Sequence, residues 1–373
     1  MRTKHSAVRK YIEKKIKTEE YSPNEKIESE NELMNYFNVS RHTVRVAVND
    51  LVSKGWLYKK QGAGTFCAEN SYQLSQNEEI EKKVAIVTTH ISDYIFPSII
   101  RGAEHKLSQN GYKISLFNTD NSFEKEKKIL EILLKQKFSG VIIEPTKSAI
   151  SSPNISYYLQ MEHFKIPYVM INKYYESLDP ISIIVDDEKG GFIQTEHLIK
   201  NGHENIIGIF KNDDMQGIKR MKGYIHAHRY YNIQIDPNYI ITYETENKNS
   251  KPASKLKKIL KEDKKASSIV CYNDELAVNL LEILRIEKLR VPYDISIIGF
   301  DDSFLTDVSE VKLTSIKHPK NAMGIEAANK IIEKISEIKN GSKNEAVQSI
   351  IFPPEIVIRS SVRNLTAKKG EVT

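Results

Sequence analysis

Hydrophobic positions divide the chain into two regimes. Near the N-terminus they recur with a helical period. Val8, Tyr11, Ile12 and Ile16 mark one helix, Leu33, Met34 and Phe37 a second, and Val44, Ala47, Val48, Leu51 and Val52 a third. The third set falls at i, i+3, i+4, i+7 and i+8, a single apolar stripe. Ser29 and Glu32 form an S-x-x-E capping box ahead of the second helix, and Ser40 caps the third. Asn38-Val39 leaves only a short turn between them, the helix-turn-helix spacing. Downstream, Trp56–Tyr58 and Thr65–Cys67 read as two short strands around Gly62-Ala63-Gly64, a wing whose glycines let backbone approach another surface closely.

From Val84 onward the apolar residues come in continuous runs separated by amphipathic stretches. The predicted strands are Val84–Thr89, Ile114–Asn118, Val141–Glu144, Tyr168–Asn172, Ile183–Val185, Ile206–Phe210, Tyr239–Tyr243, Ser268–Cys271 and Ile295–Gly299. Helices are expected over Ile95–Asn110, Phe123–Lys137 and near Tyr157–Phe164, with one ending at Asn201 and others starting at Gly217, Ser254 and Asp274. Strands apolar throughout, joined by helices, call for a parallel sheet covered on both faces. There are too many units for one compact sheet. The expected class is α/β, two doubly wound lobes behind a small winged helix-turn-helix.

Length and charge refine the division. Two or three domains suit 373 residues. Residues 1–69 form the first, the polar run 70–82 a linker, 83–366 the second, and 367–373 a polar tail. Residues 1–69 hold 13 Lys+Arg against 9 Asp+Glu, a net of +4 out of +6 for the whole chain. The basic excess sits on the helix-turn-helix, where phosphate neutralisation would make nucleic-acid affinity salt-dependent. No apolar run reaches membrane-spanning length, and Met-Arg-Thr-Lys-His lacks a signal-peptide core, so no membrane and a cytoplasmic location are expected. Cys67 and Cys271 are the only cysteines, with no CxxC pair, and are expected as reduced, buried thiols.

Arg41, His42, Arg45 and Asn49 fall off the apolar stripe of the third helix, onto its free face. Arginine there can fork onto guanine edges, while His and Asn read other edges or phosphates. A solvated basic face would look the same in isolation; the capping box, turn and wing around it favour DNA. S-E-N-E-L, V-S-R-H-T-V-R and Q-G-A-G-T-F together resemble the GntR-type DNA-binding domain over residues 1–68. Two positions depart from that pattern: Ile27-Glu28 replaces Leu-Pro, and Asn31 stands where an arginine is frequent. The resemblance implies base readout of double-stranded operator DNA by Glu30, Arg41, Arg45 and Gln61. His42, Thr43 and Gly62 would lie near the DNA backbone. A carboxylate such as Glu30 facing DNA is unfavourable unless it accepts from a cytosine amino group.

In the larger domain, polar residues gather at the carboxyl ends of the strands, the edge where open α/β sheets bind ligands. They include Asp120, Glu144-Pro145-Thr146, Asn172-Lys173, Asp186-Asp187, Asp213-Asp214, Asn273-Asp274 and Asp301-Asp302. Taken singly, each doublet reads as a strand terminus or helix cap; as a set facing a cleft, they suit a polyhydroxyl ligand. Carboxylates, amides and Arg220 supply the hydrogen bonds, and Tyr94, Phe96 and Tyr174 could pack on a ring's apolar face.

I-I-R-G-A-E-H-K-L (99–107), G-V-I-I-E-P (140–145), D-D-E-K-G-G (186–191), K-R-M-K-G-Y (219–224), C-Y-N-D-E-L-A (271–277), V-P-Y-D-I-S-I-I-G-F-D-D (291–302) and L-T-S-I-K-H-P (313–319) resemble the effector domain of LacI-type regulators, itself similar to periplasmic sugar-binding proteins. The LacI hinge-helix signature is absent from the linker. A GntR-type head on a LacI-type effector domain is a narrow combination and resembles the arabinose-repressor family. That resemblance implies a homodimeric repressor with no cofactor and no metal, released from operator DNA by a small-molecule effector, L-arabinose. The family pattern would place effector contacts at Glu144, Asn172, Arg220, Asn273 and Asp301, and further ones at Asp274 and His318; Lys173, from the strand-end set, is expected to bind the effector as well. Glu144 would help set which sugar fits.

Other classes fit less well. A pyridoxal-phosphate enzyme fused to a GntR-type head would need a catalytic constellation. There is no G-x-S-x-G, no H-E-x-x-H and no G-x-x-x-x-G-K-[ST]. His226 and His228, two apart on a helix, point away from each other and make no metal pair. A transport-type binding protein would carry no DNA-binding head. The closer competitor is the same regulator sensing another sugar or a purine. Coupling the two domains through the linker requires it to be stiff, and Tyr72 and Leu74 are the candidates to dock it on the effector domain.

Overall fold

The computed structural model describes residues 4–18, 20–69, 82–91, 94–136, 138–263, 265–340 and 348–366. Tyr72, Leu74, nearly all of the expected linker and the polar tail lie outside the described residues. The chain divides into two compact units, Met1–Lys82 and Lys83–Thr373.

The first unit holds α1 (Lys4–Lys17), α2 (Glu30–Phe37), α3 (Arg41–Ser53), β1 (Leu57–Lys60) and β2 (Gly64–Cys67). Its core is the predicted stripe: Val44, Ala47, Val48 and Leu51 of α3 pack with Val8, Ile12, Ile16, Leu33 and Trp56. The capping box at α2 is present, with the Glu32 carboxylate accepting from Ser29 N at 2.7 Å and Ser29 Oγ accepting from Glu32 N at 3.3 Å. Asn38, at φ 49°, ends α2 and turns the chain, and Ser40 Oγ then accepts from Thr43 N to open α3. The wing strands run longer than their apolar residues suggested. β1 and β2 pair antiparallel as far as Lys60↔Gly64, because Gly62 at φ +74° closes the loop tightly enough for the ladder to continue.

The second unit contains two six-stranded sheets. The first lobe is built from β3 (Lys83–Thr88), α4 (Phe96–Gln109), β4 (Lys113–Asn118), α5 (Phe123–Lys135), β5 (Gly140–Ile143), α6 (Ile155–His163), β6 (Tyr168–Ile171) and β7 (Ser182–Val185). The chain then enters the second lobe with α7 (Asp187–Lys200), β8 (Ile206–Lys211), α8 (Met215–Tyr230), β9 (Ile240–Tyr243), α9 (Lys251–Glu262), β10 (Ser268–Cys271), α10 (Asp274–Ile286), β11 (Ser296–Asp301), α11 (Leu305–Val308) and β12 (Thr314–Lys317). It returns to the first lobe for α12 (Lys320–Asn340) and β13 (Ile350–Phe352), and crosses back for β14 (Glu355–Val357). The strand orders are β13-β7-β6-β5-β3-β4, all parallel, and β14-β12-β11-β10-β8-β9, parallel except for β14 against β12.

Continuous apolar strands serve both sheet faces by alternation. In β3, Val84 and Ile86 join a core with α4 and α12, whereas Ala85 and Val87 join one with α5 and α6. In β8, Ile207 and Ile209 face one core and Ile206 and Phe210 the other. Helices α8 and α9 begin earlier than Gly217 and Ser254. Asp214 caps α8 by accepting from Gly217 N, and Pro252 sits in the first turn of α9, where a missing N–H costs nothing. Cys67 and Cys271 are both buried. Among the described residues, no helix is long and apolar enough to cross a membrane.

Candidate DNA-reading face and effector cleft

On the first unit, Arg41, His42 and Arg45 are exposed on α3, and Gln61 and Gly62 are exposed in the wing loop. Nothing lies within 4 Å of where a Gly62 Cβ would be, so the wing tip is open to an approaching surface. Thr43 is half-buried, its hydroxyl 2.9 Å from Ser40 Oγ. The Glu30 carboxylate does not stand alone on this face: Arg45 Nε donates to its two oxygens at 3.1 and 3.0 Å. Asn31 Oδ1 accepts from Arg41 at 2.7 Å. From the wing, Lys59 Nζ donates to Asn49 Oδ1 at 2.7 Å and ties β1 to α3.

In the second unit, the carboxyl ends of both sheets enclose a cavity of about 460 Å³ between the lobes, within the range typical of small-molecule sites. Tyr94, Phe96, Glu144 and Lys173 line it from the first lobe, and Arg220, Asn273 and Asp301 from the second. Asn172, Asp274 and His318 stand one layer behind. His318 Nε2 lies 3.0 Å from Asn172 Oδ1, and Asn172 Nδ2 donates to Glu144 Oε1 at 3.0 Å. The other Glu144 oxygen accepts from Thr89 N and Oγ1 at 3.0 and 2.6 Å. Asp274 is turned inward, accepting from Ser303 N at 2.8 Å and Ser315 Oγ at 2.6 Å.

The second-lobe wall is organised around Arg220. Its Nε donates to Asp187 at 2.8 Å and its NH1 to the Tyr272 carbonyl at 2.7 Å, and the guanidinium lies 3.5 Å from the Phe300 ring centroid. Two motif glycines make this placement possible. A Cβ on Gly191 would meet the Arg220 carbonyl, and one on Gly223 the Glu188 carbonyl, so α7 and α8 pack backbone against backbone. Arg220 NH2 stops 3.6 Å from Asp301 Oδ1, a buried oxygen with no hydrogen-bond partner in the protein. The other Asp301 oxygen accepts from Tyr94 OH at 2.6 Å, across the cleft. Asp301 at φ 97°, Tyr94 at φ 68° and Asn172 at φ 64° all occupy left-handed backbone, strain of the kind found at ligand sites.

Burial and neighbouring charge set the protonation of these groups. Burial raises Asp301 above the usual carboxylate range despite Arg220. It raises Asp187 to about 6, with Arg220 opposing, and Asp274 to about 8, reinforced by the nearby Asp301. Asp214, missed as a cavity residue although its doublet was noted, goes the other way. Burial opposes its charge, but Lys211 and Lys173 outweigh burial and hold it below the ordinary range. Burial likewise works against the Lys211 ammonium, and Asp214 and Asp213 overcome it. Burial drives His318 well below its ordinary value, so its ring is neutral. With Lys173, Lys211, Arg220 and Lys248 against Glu144, Asp214, Glu275 and Asp301, the charged lining balances. Such a wall suits a neutral polyol better than a sugar phosphate.

The lobes also touch beside the cavity. Asn121 Nδ2 donates to Thr245 Oγ1 at 2.7 Å, Met215 N donates to Ser148 Oγ at 2.9 Å, and Lys147 pairs with Glu246. Lys211, Thr89, Tyr272 and Gln216 are lining residues absent from the sequence-derived set. The only signal for them was a place next to a strand end.

Residues 4–67 match the model for bacterial regulatory proteins of the gntR family, and residues 195–362 that for a periplasmic binding protein-like domain. The chain is 52% identical over 372 residues to the arabinose metabolism transcriptional repressor of Halalkalibacterium halodurans, covering 99% of each chain. It is 45% identical to the protein of the same name from Geobacillus stearothermophilus, over 92% of this chain and 93% of that one. Among solved structures, the transcription regulator CcpA of Lactococcus lactis has a TM-score of 0.65 at 25% identity, covering 76% of this chain and 99% of its own. A periplasmic binding protein/LacI transcriptional regulator from Alkaliphilus metalliredigens, complexed with D-xylulofuranose, shares the fold with a TM-score of 0.63 at 24% identity, over 75% of this chain and 99% of that one. These relatives are regulators rather than enzymes. A gntR-type head, a two-lobed LacI-type effector domain and this identity over nearly the whole length place the chain in the family of arabinose metabolism transcriptional repressors, DNA-binding repressors of arabinose utilisation.

Proposed function

We propose that the protein acts in the cytoplasm as a homodimer, that its effector is L-arabinose bound in the inter-lobe cavity, and that this binding releases operator DNA. The observation that carries the effector reading is the 3.6 Å gap between Arg220 NH2 and the unpartnered Asp301 Oδ1. A sugar hydroxyl there can accept from one and donate to the other. Glu144, Lys173 and Asn273 offer further polar groups, and Tyr94 and Phe96 apolar surface. Asn172, Asp274 and His318 hold those walls. On α3, Arg41 and Arg45, with Glu30 and the wing's Gln61, read bases; His42, Thr43 and Gly62 lie along the DNA backbone.

Two copies are needed because one helix-turn-helix reads only a short half-site. Val308, 69% exposed at the end of α11, is apolar surface available to a second copy. Sugar shifts the operator equilibrium only by its differential affinity for the lobe arrangement that binds DNA poorly.

The test is calorimetry on the full chain with L-arabinose, against D-xylose, D-ribose, D-galactose and a purine, paired with operator gel shifts. Saturable binding of L-arabinose with loss of the shifted band supports the reading. Binding of a different compound, or of none, sinks the arabinose assignment while leaving the DNA-binding repressor intact.

A further inference from the structure

The two reading arginines are held by the start of the helix in front of them. The Ser29–Glu32 capping box fixes the first turn of α2, which carries Glu30 and Asn31, and Ser40 fixes the first turn of α3, which carries Arg41. Across this junction Arg41 NH2 donates to Asn31 Oδ1 at 2.7 Å, while Arg41 Nε stays 3.9 Å from Glu30. Glu30 is engaged instead by Arg45 Nε. Each arginine is therefore paired to a different residue of α2, and both remain more than half exposed.

We propose that Asn31 is a positioning residue that aims Arg41 and so sets the base preferred at the step Arg41 reads. This rests on the reading of Arg41 as a base contact. The chemistry favours an amide here. Asn31 takes one of the five guanidinium N–H groups and leaves enough for a bidentate fork onto a guanine edge. A neutral acceptor holds the arginine without cancelling its charge, which stays available to DNA. A carboxylate at this position would add repulsion toward phosphate, and an arginine would repel Arg41 and compete for Glu30.

The experiment selects a preferred duplex from a randomised pool with the full-length protein. Binding to every single-base variant of that duplex is then measured for wild type, Arg41→Ala, Asn31→Ala, Asn31→Asp and the Arg41→Ala/Asn31→Ala double variant. Arg41→Ala should flatten the preference at one base pair. Asn31→Ala should weaken preference at that same base pair by about tenfold, within the discrimination one bidentate pair carries. The double variant should be no worse than Arg41→Ala alone, the signature of a coupled pair. Asn31→Asp, which keeps the acceptor, should retain the positional preference while binding all duplexes more weakly. Additive losses, an even loss across all variants, or an effect at a different base pair in Asn31→Ala would each overturn the proposal. If Arg41→Ala leaves every preference unchanged, the failure belongs to the Arg41 reading itself.

Discussion

Arg220 donates to Asp187 at 2.8 Å but stops 3.6 Å short of Asp301. One carboxylate anchors the guanidinium, and the other shares with it a polar gap facing the cavity. Asp187 is the first residue of α7, immediately after the chain leaves the first lobe, so the anchor sits at a crossover. Arg220→Lys keeps the charge but cannot span both Asp187 and the Tyr272 carbonyl. Effector affinity should fall by about 2–5 kcal/mol, the usual loss for breaking a buried, hydrogen-bonded charge pair. Operator binding without sugar should stay near wild type. Gel shifts with and without L-arabinose check this, and normal release by sugar would remove Arg220 from the site.

The His318–Asn172–Glu144 relay predicts an effect from a residue outside the cavity. His318 lies on the segment between β12 and α12, and its neutral ring holds Asn172. His318→Phe should loosen Asn172 and, through it, Glu144, costing about 1–2 kcal/mol of sugar affinity, on the scale of one lost buried hydrogen bond. Calorimetry reads it directly, and an unchanged affinity would show that Glu144 is held without the relay.

Asp274 predicts a pH dependence of stability. Its folded pKa of about 8 lies above the unfolded value near 3.9. Between those limits the folded state binds more protons, so this residue's contribution is fully favourable below about pH 4 and is lost as pH rises toward 8. Asp274→Asn removes that titration. The stability difference between wild type and variant, from urea unfolding across this window, should move steadily against wild type with rising pH. A constant difference would mean that Asp274 is ionised throughout.

Gly223→Ala tests the packing that delivers Arg220. The added methyl would strike the Glu188 carbonyl and Phe192 N of α7. Backbone atoms do not swing aside as side chains do, so a loss of about 1–3 kcal/mol or more is expected. Urea midpoints measure it, and a neutral result would show that α7 and α8 can slide apart.

Arg45→Ala should cost about 1–3 kcal/mol in operator binding and relax specificity at one base pair. It also removes the Nε–H that both Glu30 oxygens share, leaving a part-exposed carboxylate without that hydrogen bond on the DNA-facing side. An equal loss on random duplex would mean that Arg45 touches only phosphate.

The helix-turn-helix was legible because its determinants are local. The stripe on α3, the Ser29–Glu32 box and the Ser40 cap each lie within a few residues of the element they define, so periodicity and capping chemistry found them. Nine of the twelve described lobe strands were equally plain as apolar runs; β12, β13 and β14, short and at or near a sheet edge, were not among those predicted. Nor was the interleaving legible: α12 and β13 belong to the first lobe although they follow the second in sequence, and no period marks a sheet change.

The cleft divides the same way. Chain order alone put Glu144, Asn172, Asn273 and Asp301 at strand ends, because a parallel strand must end in a loop on the ligand side. Which of them faces the cavity depended on side chains meeting across hundreds of residues. Asn172 and His318 stack behind Glu144, Ser303 and Ser315 draw Asp274 inward, and Lys211 and Asp214 enter through a mutual charge pairing. Sequence by itself determined most of the elements, the two-domain composition and the chemistry available, since these follow from neighbours along the chain. Only the tertiary structure decided which groups are buried, paired or left without a partner, because desolvation and hydrogen bonding depend on neighbours in space.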